Sequence, residues 1–174
     1  VHRCGEDDAI YLHSGGTTGT PKNIVLKNNN INSIIEQARI IFPDLGVGDT
    51  FLSILPMFHC FGLVVCIIAP LCLGCTAILV PQFDAKRFDK LIKKHKPTVL
   101  VGVPTLFEAL ITNPYMINVD LSYVKQVVSG GDSLSIKKNE EVNNFLLKHN
   151  CKARIKQGYG MTETSGPAAI GSFG

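Results

Sequence analysis

An α/β fold, built on a largely parallel sheet that helices cover, is predicted by two features of the sequence. Short segments rich in aliphatic and β-branched residues alternate with segments whose apolar residues recur every three or four positions. Several of the short segments are apolar on both faces, which is typical of strands buried between helix layers. The 174 residues, 45% of them hydrophobic and 18% charged, suffice for one domain with a sizeable core.

The predicted strands are short β-rich segments bounded by turn residues. In chain order they are residues 9–12, 24–26, 50–55, 76–80, 98–101, 126–129 and 154–157. The first two flank a loop rich in glycine and threonine, and the segment at 154–157 is predicted to be the last strand.

The predicted helices show apolar residues at helical spacing, and most begin at a residue that favours a helix N-terminus, such as asparagine, aspartate, serine or proline. They cover residues 28–42, the uncharged run before residue 76, and residues 84–94, 104–111 and 135–149. Residues 113–124 are predicted to be irregular.

Charge and cysteine content narrow the possible partners and location. A net charge of +3 without a dense basic cluster argues against nucleic-acid binding. Six cysteines, four of them in apolar segments, indicate a reduced, cytoplasmic protein. Cys72 and Cys75 have the spacing of a zinc or redox pair, but no second pair follows them, which favours structural thiols.

The run over residues 61–80 carries no charge and is long enough to span a membrane. Pro70, Gly74 and the β-forming residues after them favour a buried helix followed by a buried strand. We therefore expect no transmembrane span. A membrane-anchored protein, which would need detergent for solubility, is the alternative.

The segment over residues 11–22 has the composition of a phosphate-binding loop. Glycines let backbone N–H groups approach an anion, hydroxyls add donors and Lys22 adds a charge. The segment differs from the P-loop, because Pro21 precedes the lysine and a strand follows it. A flexible hairpin turn is the alternative. The candidate nucleotide-binding residues are Ser14, Gly15, Gly16, Thr17, Thr18, Gly19, Thr20 and Lys22.

A second candidate segment covers residues 157–164. Gly158 and Gly160 flank Tyr159, whose ring could stack on a base, and the hydroxyl of Thr162 and the carboxylate of Glu163 follow. A carboxylate beside a phosphate site is a natural magnesium ligand, because hard cations prefer oxygen. An ordinary strand exit with Glu163 in solvent is the alternative.

Both candidate segments follow a predicted strand, as do the turn at residues 56–59 and the break at Gly130 and Gly131. In open α/β sheets, ligands bind outside the carboxyl ends of the strands. We therefore expect these four turns to face one crevice.

The segments resemble those of the adenylate-forming enzymes, which comprise acyl-CoA synthetases, luciferases and the adenylation domains of peptide synthetases. Residues 14–22 match the phosphate-loop signature, although Asn23 follows where the family usually has glycine. Residues 159–163 match the Tyr-Gly-x-Thr-Glu signature. Residues 130–134 are similar to the adenine-side turn, and residues 56–62 to the Pro-x-x-His-x-x-Gly segment of acyl- and aryl-CoA synthetases.

The resemblance implies how ATP would be held. Tyr159 would stack on adenine, beside main-chain groups of Gly130, Gly131 and Asp132, and Thr162 would bind the α-phosphate. The glycines at 158 and 160 would complete this nucleotide-binding set.

The resemblance also implies four catalytic residues. Lys22 and the loop N–H groups would serve the β- and γ-phosphates, and Glu163 would hold Mg²⁺ with Thr17 or Thr18. His59 would border the acyl pocket and help to orient the substrate carboxylate. The implied catalytic residues are Lys22, His59, Thr162 and Glu163.

The resemblance implies a two-step reaction, in which ATP activates a carboxylic acid and a thiol such as coenzyme A takes the acyl group. An apolar pocket for a fatty or aromatic acid is expected, because no aspartate stands near His59 to pair with a substrate ammonium group. Residues 1–174 would form part of the large N-terminal domain, with the C-terminal domain absent, and would be inactive alone. The alternatives are a non-catalytic nucleotide-binding module and an adenylation domain that feeds a carrier protein.

Overall fold

The computed structural model describes residues 4–14 and 22–171, and it confirms the predicted α/β architecture. The strands of this part of the chain are β1 (Asp8–Ser14), β2 (Lys22–Lys27), β3 (Thr50–Ser53), β4 (Thr76–Leu79), β5 (Val99–Gly102), β6 (Gln126–Ser129), β7 (Ile155–Met161) and β8 (Gly166–Ile170). Strands β1 and β2 form an antiparallel hairpin. The others form one sheet in the order β4-β3-β5-β6-β7-β8, parallel except for β8.

The helices largely follow the predicted segments. They are α1 (Asn28–Ile41), a π-helix (Phe61–Ile68), α2 (Ala69–Cys72), α3 (Phe88–His95), α4 (Pro104–Thr112) and α5 (Ile136–Lys148), with 3₁₀ turns at Ala85–Arg87, Pro114–Met116 and Thr162–Thr164. The prediction that an asparagine is the N-cap of α1 is wrong, because Lys27 is the N-cap. Asn30, at the third position of the helix, accepts a hydrogen bond from Lys27 N through its Oδ1 at 2.8 Å. Ser135 caps α5 by accepting from Lys138 N at 3.2 Å.

Two apolar layers enclose the parallel sheet. One face packs against α3, α4 and α5, with Val127 and Ile155 fully buried in that layer. The other face, which carries Phe51, Val99 and Val101, packs against the π-helix and Ala38 of α1. Side chains of a strand point alternately to its two faces, so neighbouring residues of β6 serve different layers.

The apolar run over residues 61–80 contains a helix and a strand, as predicted, but the helix has an unexpected form. Its first part is a π-helix, a conformation that is rare and is often found at functional sites. The hydroxyl of Ser53 donates a hydrogen bond to the Cys66 carbonyl within it. Pro70 lies in the first turn of the short α2 that follows. No helix of the described residues is long and apolar enough to cross a membrane.

The prediction that residues 154–157 form the last strand is wrong. Strand β7 continues to Met161, and β8 pairs with it in antiparallel register. A register shift between Tyr159 and Gly160 accommodates the pairing. Gly160 packs directly on the Gly166 backbone, where a side chain would collide. Gly160 therefore permits a close pairing of β7 with β8.

We predict that Gly62→Ala destabilises the chain. A Cβ at Gly62 would collide with the Pro56 carbonyl and lie 2.9 Å from the Leu55 carbonyl oxygen. Backbone atoms cannot yield as a side-chain end can, so the free energy of unfolding should fall by about 1–3 kcal/mol. Urea denaturation measures this loss.

The matched control is Gly46→Ala, where the nearest atom to an added Cβ, the Leu73 carbonyl oxygen, is 3.8 Å away. Its unfolding free energy should stay within about 0.5 kcal/mol of the parent value. Equal losses in the two variants would contradict the proposed packing of Gly62.

Candidate functional site

A cavity of about 690 Å³ opens at the carboxyl edge of the parallel sheet. The sheet, α1, the π-helix and the β7-β8 pair surround it. The candidate residues that line it are Lys22, His59, Gly130, Gly131, Gly158, Tyr159, Gly160, Thr162 and Glu163. Residues from all four predicted turns thus surround one space.

The candidate residues outside this list include Asp132 and residues 15–20. Asp132 lines a second cavity of about 540 Å³, whose wall also includes Gly131 and Tyr159. Its Oδ1 accepts a hydrogen bond from Ser133 N at 2.7 Å, so the carboxylate is turned onto its own loop. Residues 15–20 fall outside the described residues, and with them the metal candidate Thr17.

The hairpin brings the phosphate-loop candidate to the second segment. Ser14 and Lys22 are paired in the β1-β2 register, so the loop between them starts and ends at neighbouring positions. Cα atoms of both hairpin strands lie within 8 Å of Cα atoms in the 162–164 turn. Lys22 and Glu163, from opposite ends of the chain, therefore border the same cavity.

The turn before the π-helix fixes the orientation of His59. Its Nδ1 accepts a hydrogen bond from Phe61 N at 3.1 Å, which leaves Nε2 to carry the proton of the neutral ring. The side chain is exposed and borders the cavity. His59 can therefore present an N–H donor to a ligand.

Cys60 joins this turn to Thr162. Its thiol is only 2% exposed and donates to the Thr162 hydroxyl, with the sulfur 3.9 Å from Oγ1. Burial raises the pKa of the Cys60 thiol, and this effect outweighs the opposing contact with Thr162. Because the Thr162 hydroxyl accepts from the thiol, its own proton is free for a ligand.

The segment after Tyr159 is a compact bend. The Thr164 hydroxyl accepts from Met161 N at 3.2 Å and lies 2.8 Å from the Gly166 carbonyl oxygen. Ser165 has a φ of 62°, in the left-handed region. The bend buries Thr162, which is 7% exposed, but leaves Glu163 and Tyr159 exposed, the latter at 63%.

Phe61 packs onto the Gly130-Gly131 turn. A Cβ added at Gly130 would lie 3.0 Å from Cζ of the Phe61 ring. Gly131 has a φ of +79°, which glycine adopts without strain. Gly130 N donates to the Gly102 carbonyl at 2.9 Å, which ties the turn to β5. The turn before the π-helix and the Gly130-Gly131 turn therefore form one continuous wall of the cavity.

The sequence did not assign a role to Cys60, Phe61 or Thr164, although all three lie inside candidate segments. The partners of Cys60 and Phe61 are far away in the chain. The Thr164 hydroxyl acts within its own bend. Its place at the end of the segment over residues 157–164 is the signal that could have identified it.

Metal-binding side chains are not clustered in this part of the chain. No group of three or more histidine, cysteine, aspartate or glutamate residues that could hold a metal occurs among residues 4–14 and 22–171. Cys72 is exposed and Cys75 buried, without further candidate ligands there. Of the two predicted magnesium ligands, Glu163 borders the cavity.

Comparison with known proteins gives one family. Residues 1–173 match the model of the family described as AMP-binding enzyme. The chain is 36% identical over 173 residues to 4-coumarate–CoA ligase 3 of Arabidopsis thaliana, a region covering 98% of this chain and 30% of that protein. It is 33% identical over 160 residues to a long-chain-fatty-acid–CoA ligase of Bacillus subtilis, covering 91% and 28%.

Solved structures agree with this match. The fold superposes on ATP-bound MatB from Rhodopseudomonas palustris with a TM-score of 0.82 and 26% identity, covering 95% of this chain and 31% of that one. The chain thus spans less than a third of the length of each of these relatives.

We predict that the exposed thiols, Cys4 and Cys72, react fast with Ellman's reagent at about pH 8 and that the four buried thiols react slowly. Burial excludes the reagent and raises the pKa of the buried groups, that of Cys66 to about 12. Fewer of them are therefore thiolates. Absorbance should show two fast equivalents in the native chain and six after denaturation.

Cys72→Ser should remove one fast equivalent, whereas Cys60→Ser should leave the fast phase unchanged. A third fast thiol that disappears in Cys60→Ser would show that the contact between Cys60 and Thr162 is open to solvent.

Proposed function

The chain belongs to the AMP-binding enzyme family, and from this membership we propose that it carries the nucleotide-binding part of an enzyme that activates a carboxylic acid. The carboxylate of the acid attacks the α-phosphorus of ATP, which gives an acyl-adenylate and pyrophosphate. A thiol, most simply that of coenzyme A, then takes the acyl group and releases AMP. The observation that carries the proposal is that Lys22 and Glu163 border one cavity.

The geometry of the site suits a nucleotide. The exposed ring of Tyr159 offers a face for the adenine base beside the backbone of Gly131. Thr162 has a hydroxyl proton free for the α-phosphate, and Lys22 offers a charge for the outer phosphates. Donors held by the folded chain need little reorganisation as negative charge develops on the phosphates.

A magnesium ion fits the side of the cavity that Glu163 borders. Glu163 borders the cavity with an exposed carboxylate, the oxygen ligand that this ion prefers, and the hydroxyl of Thr17 would complete the protein's share. When bound, the ion would neutralise charge on the phosphates. Glu163 itself would serve to hold the ion on the side of the cavity that Lys22 borders.

The acid would lie beside His59 and Phe61. The Nε2 proton of His59 can donate to a carboxylate oxygen and orient it for attack. Apolar residues of the sheet, α1 and the π-helix line the rest of the cavity, including Val101, Ala38 and Val65. Among the described lining residues Glu163 is the only acid, which favours a fatty or aromatic acid over an amino acid.

No side chain needs to act as a nucleophile, because the substrate carboxylate is one. The chain's share of the chemistry is to position the acid and to stabilise charge on the phosphates. Six cysteines, all free thiols where the structure describes them, support a location in the reducing cytoplasm.

We predict that Glu163→Gln weakens the binding of ATP to the chain by about tenfold when Mg²⁺ is present, since an amide is a poor substitute for a charged ligand. Without the metal, the two affinities should agree. Titration calorimetry with and without Mg²⁺ measures both values.

Glu140→Gln, at an exposed position of α5, is the matched control and should bind like the parent. A magnesium-dependent loss of the same size in both variants would remove Glu163 from the metal site.

We expect the longer parent protein to release pyrophosphate from ATP in the presence of fatty or aromatic acids, and His59→Ala to raise KM for the acid more than KM for ATP. His59 would orient the acid and not the nucleotide, so the two constants should separate. A coupled assay of pyrophosphate release over a panel of acids measures them.

His95→Ala, in the last turn of α3, is the matched control and should change neither constant. If the parent binds ATP but no acid releases pyrophosphate, a non-catalytic nucleotide-binding module replaces this proposal. If release occurs but coenzyme A accepts no acyl group, a carrier protein is the acceptor.

A further inference from the structure

The cavity extends along the sheet, away from the phosphate side. Gly130, Val128 and Gln126 lie at two-residue steps on β6 and its end, and all three line the cavity. At a rise of about 3.3 Å per residue, Gln126 lies about 13 Å from Gly130. Val101 and Val99 line the same length on β5. A ligand tail that lay along the strands would pass over apolar side chains for most of this distance.

The far end of this apolar length is polar, and a cation that does not itself line the cavity lies behind it. Gln126 lines it from the sheet, and Gln37 and Phe42 line it from α1 and its end. Behind them Lys156 Nζ donates to Gln126 Oε1 at 3.1 Å and lies 5.0 Å from the centre of the Phe42 ring. Among residues 4–14 and 22–171, no carboxylate lies within 4.0 Å of this ammonium group.

Resting on the proposed function, we propose that this far end binds an oxygen-bearing group on the tail of the substrate acid, opposite the carboxylate that is activated. The ammonium group of Lys156 carries three donors, and one of them is used by Gln126. The Gln126 side-chain amide adds two donors. These groups can donate hydrogen bonds to a hydroxyl or a carboxylate oxygen.

A tail that ends in a methyl group fits the apolar part of the cavity but not the polar far end. It would cover the Gln126 amide without offering an acceptor, and a buried donor left unpaired disfavours binding. A terminal oxygen restores the hydrogen bond, and a negative charge adds an attraction to Lys156. The far end therefore selects for the end group of the tail as well as for its length.

The test uses three acyl sulfamoyl adenosines, which are stable mimics of the acyl-adenylate. Their tails have equal length, about 13 Å when extended, and end in methyl, hydroxyl or carboxylate. Calorimetry on this chain should give affinities for the hydroxyl and carboxylate tails about tenfold above that for the methyl tail. Of the hydroxyl and carboxylate tails, the one that binds with the higher affinity identifies the oxygen-bearing group that the site prefers.

Lys156→Met keeps the length of the side chain but removes its charge. It should lower the preference for the carboxylate tail without weakening the binding of the methyl tail, because the Gln126 amide remains. Lys156→Arg should retain it, because arginine also donates and packs on an aromatic ring. Lys152→Met, at an exposed position outside the cavity, is the matched control and should behave like the parent.

The outcomes separate this inference from the proposed function. Equal affinity for the three tails, or the same effect of Lys156→Met and Lys152→Met, overturns the far-end site while adenylate binding stands. If adenosine sulfamate without a tail fails to bind, the nucleotide site itself is wrong, and the inference is overturned with it.

Discussion

The pairing of β6 with β7 is the constraint on which the site depends. Ser129 stands in register with Gln157, so Gly130 leaves β6 beside Gly158, where β7 continues past the end of the parallel pairing. A slip of one residue would turn the buried Val127 out of its apolar layer and toward the cavity. The register is also held from outside the sheet, because Asn143 of α5 accepts a hydrogen bond from Ile155 N at 3.0 Å. The packing of α5 on one face of the sheet thus helps to position the turns that border the cavity on the other face.

Close backbone approach is what the site obtains from its glycines. The Phe61 ring fills the space beside Gly130 that a side chain would otherwise take, and the Gly166 backbone does the same beside Gly160. In both places the absence of a glycine side chain lets another part of the chain approach the backbone closely. The cavity wall is therefore continuous, and it presents backbone groups where the chain turns. The close approach of Gly160 to Gly166 also explains how β8 can pair with β7 after only a short turn.

Alternation of apolar strands with periodic helices was enough to predict the architecture and the helix over residues 28–42. The π-helix was beyond prediction, because nothing in its local apolar composition distinguishes it from an α-helix, and one of its contacts comes from Ser53 on β3. Strand β8 was missed because its first four residues, Gly166 to Ala169, are poor β-formers, and its pairing depends on the turn at Ser165. The four turns could be placed together from the rule that ligands bind at strand ends. The contact between Cys60 and Thr162 could not, because no sequence rule relates residues so far apart.

The cavity has two chemically different parts because the sheet changes character at one row of residues. On the face that carries Val128 and Gly130, a single two-residue step of about 7 Å separates an aliphatic side chain from bare backbone. Beyond that row the chain turns, and N–H groups, hydroxyls and Glu163 become available to charged ligands. Within the sheet the backbone groups are paired with neighbouring strands, so only side chains can contact a ligand. One strand face can therefore hold a charged head group and an apolar tail in line, without a separate domain for either.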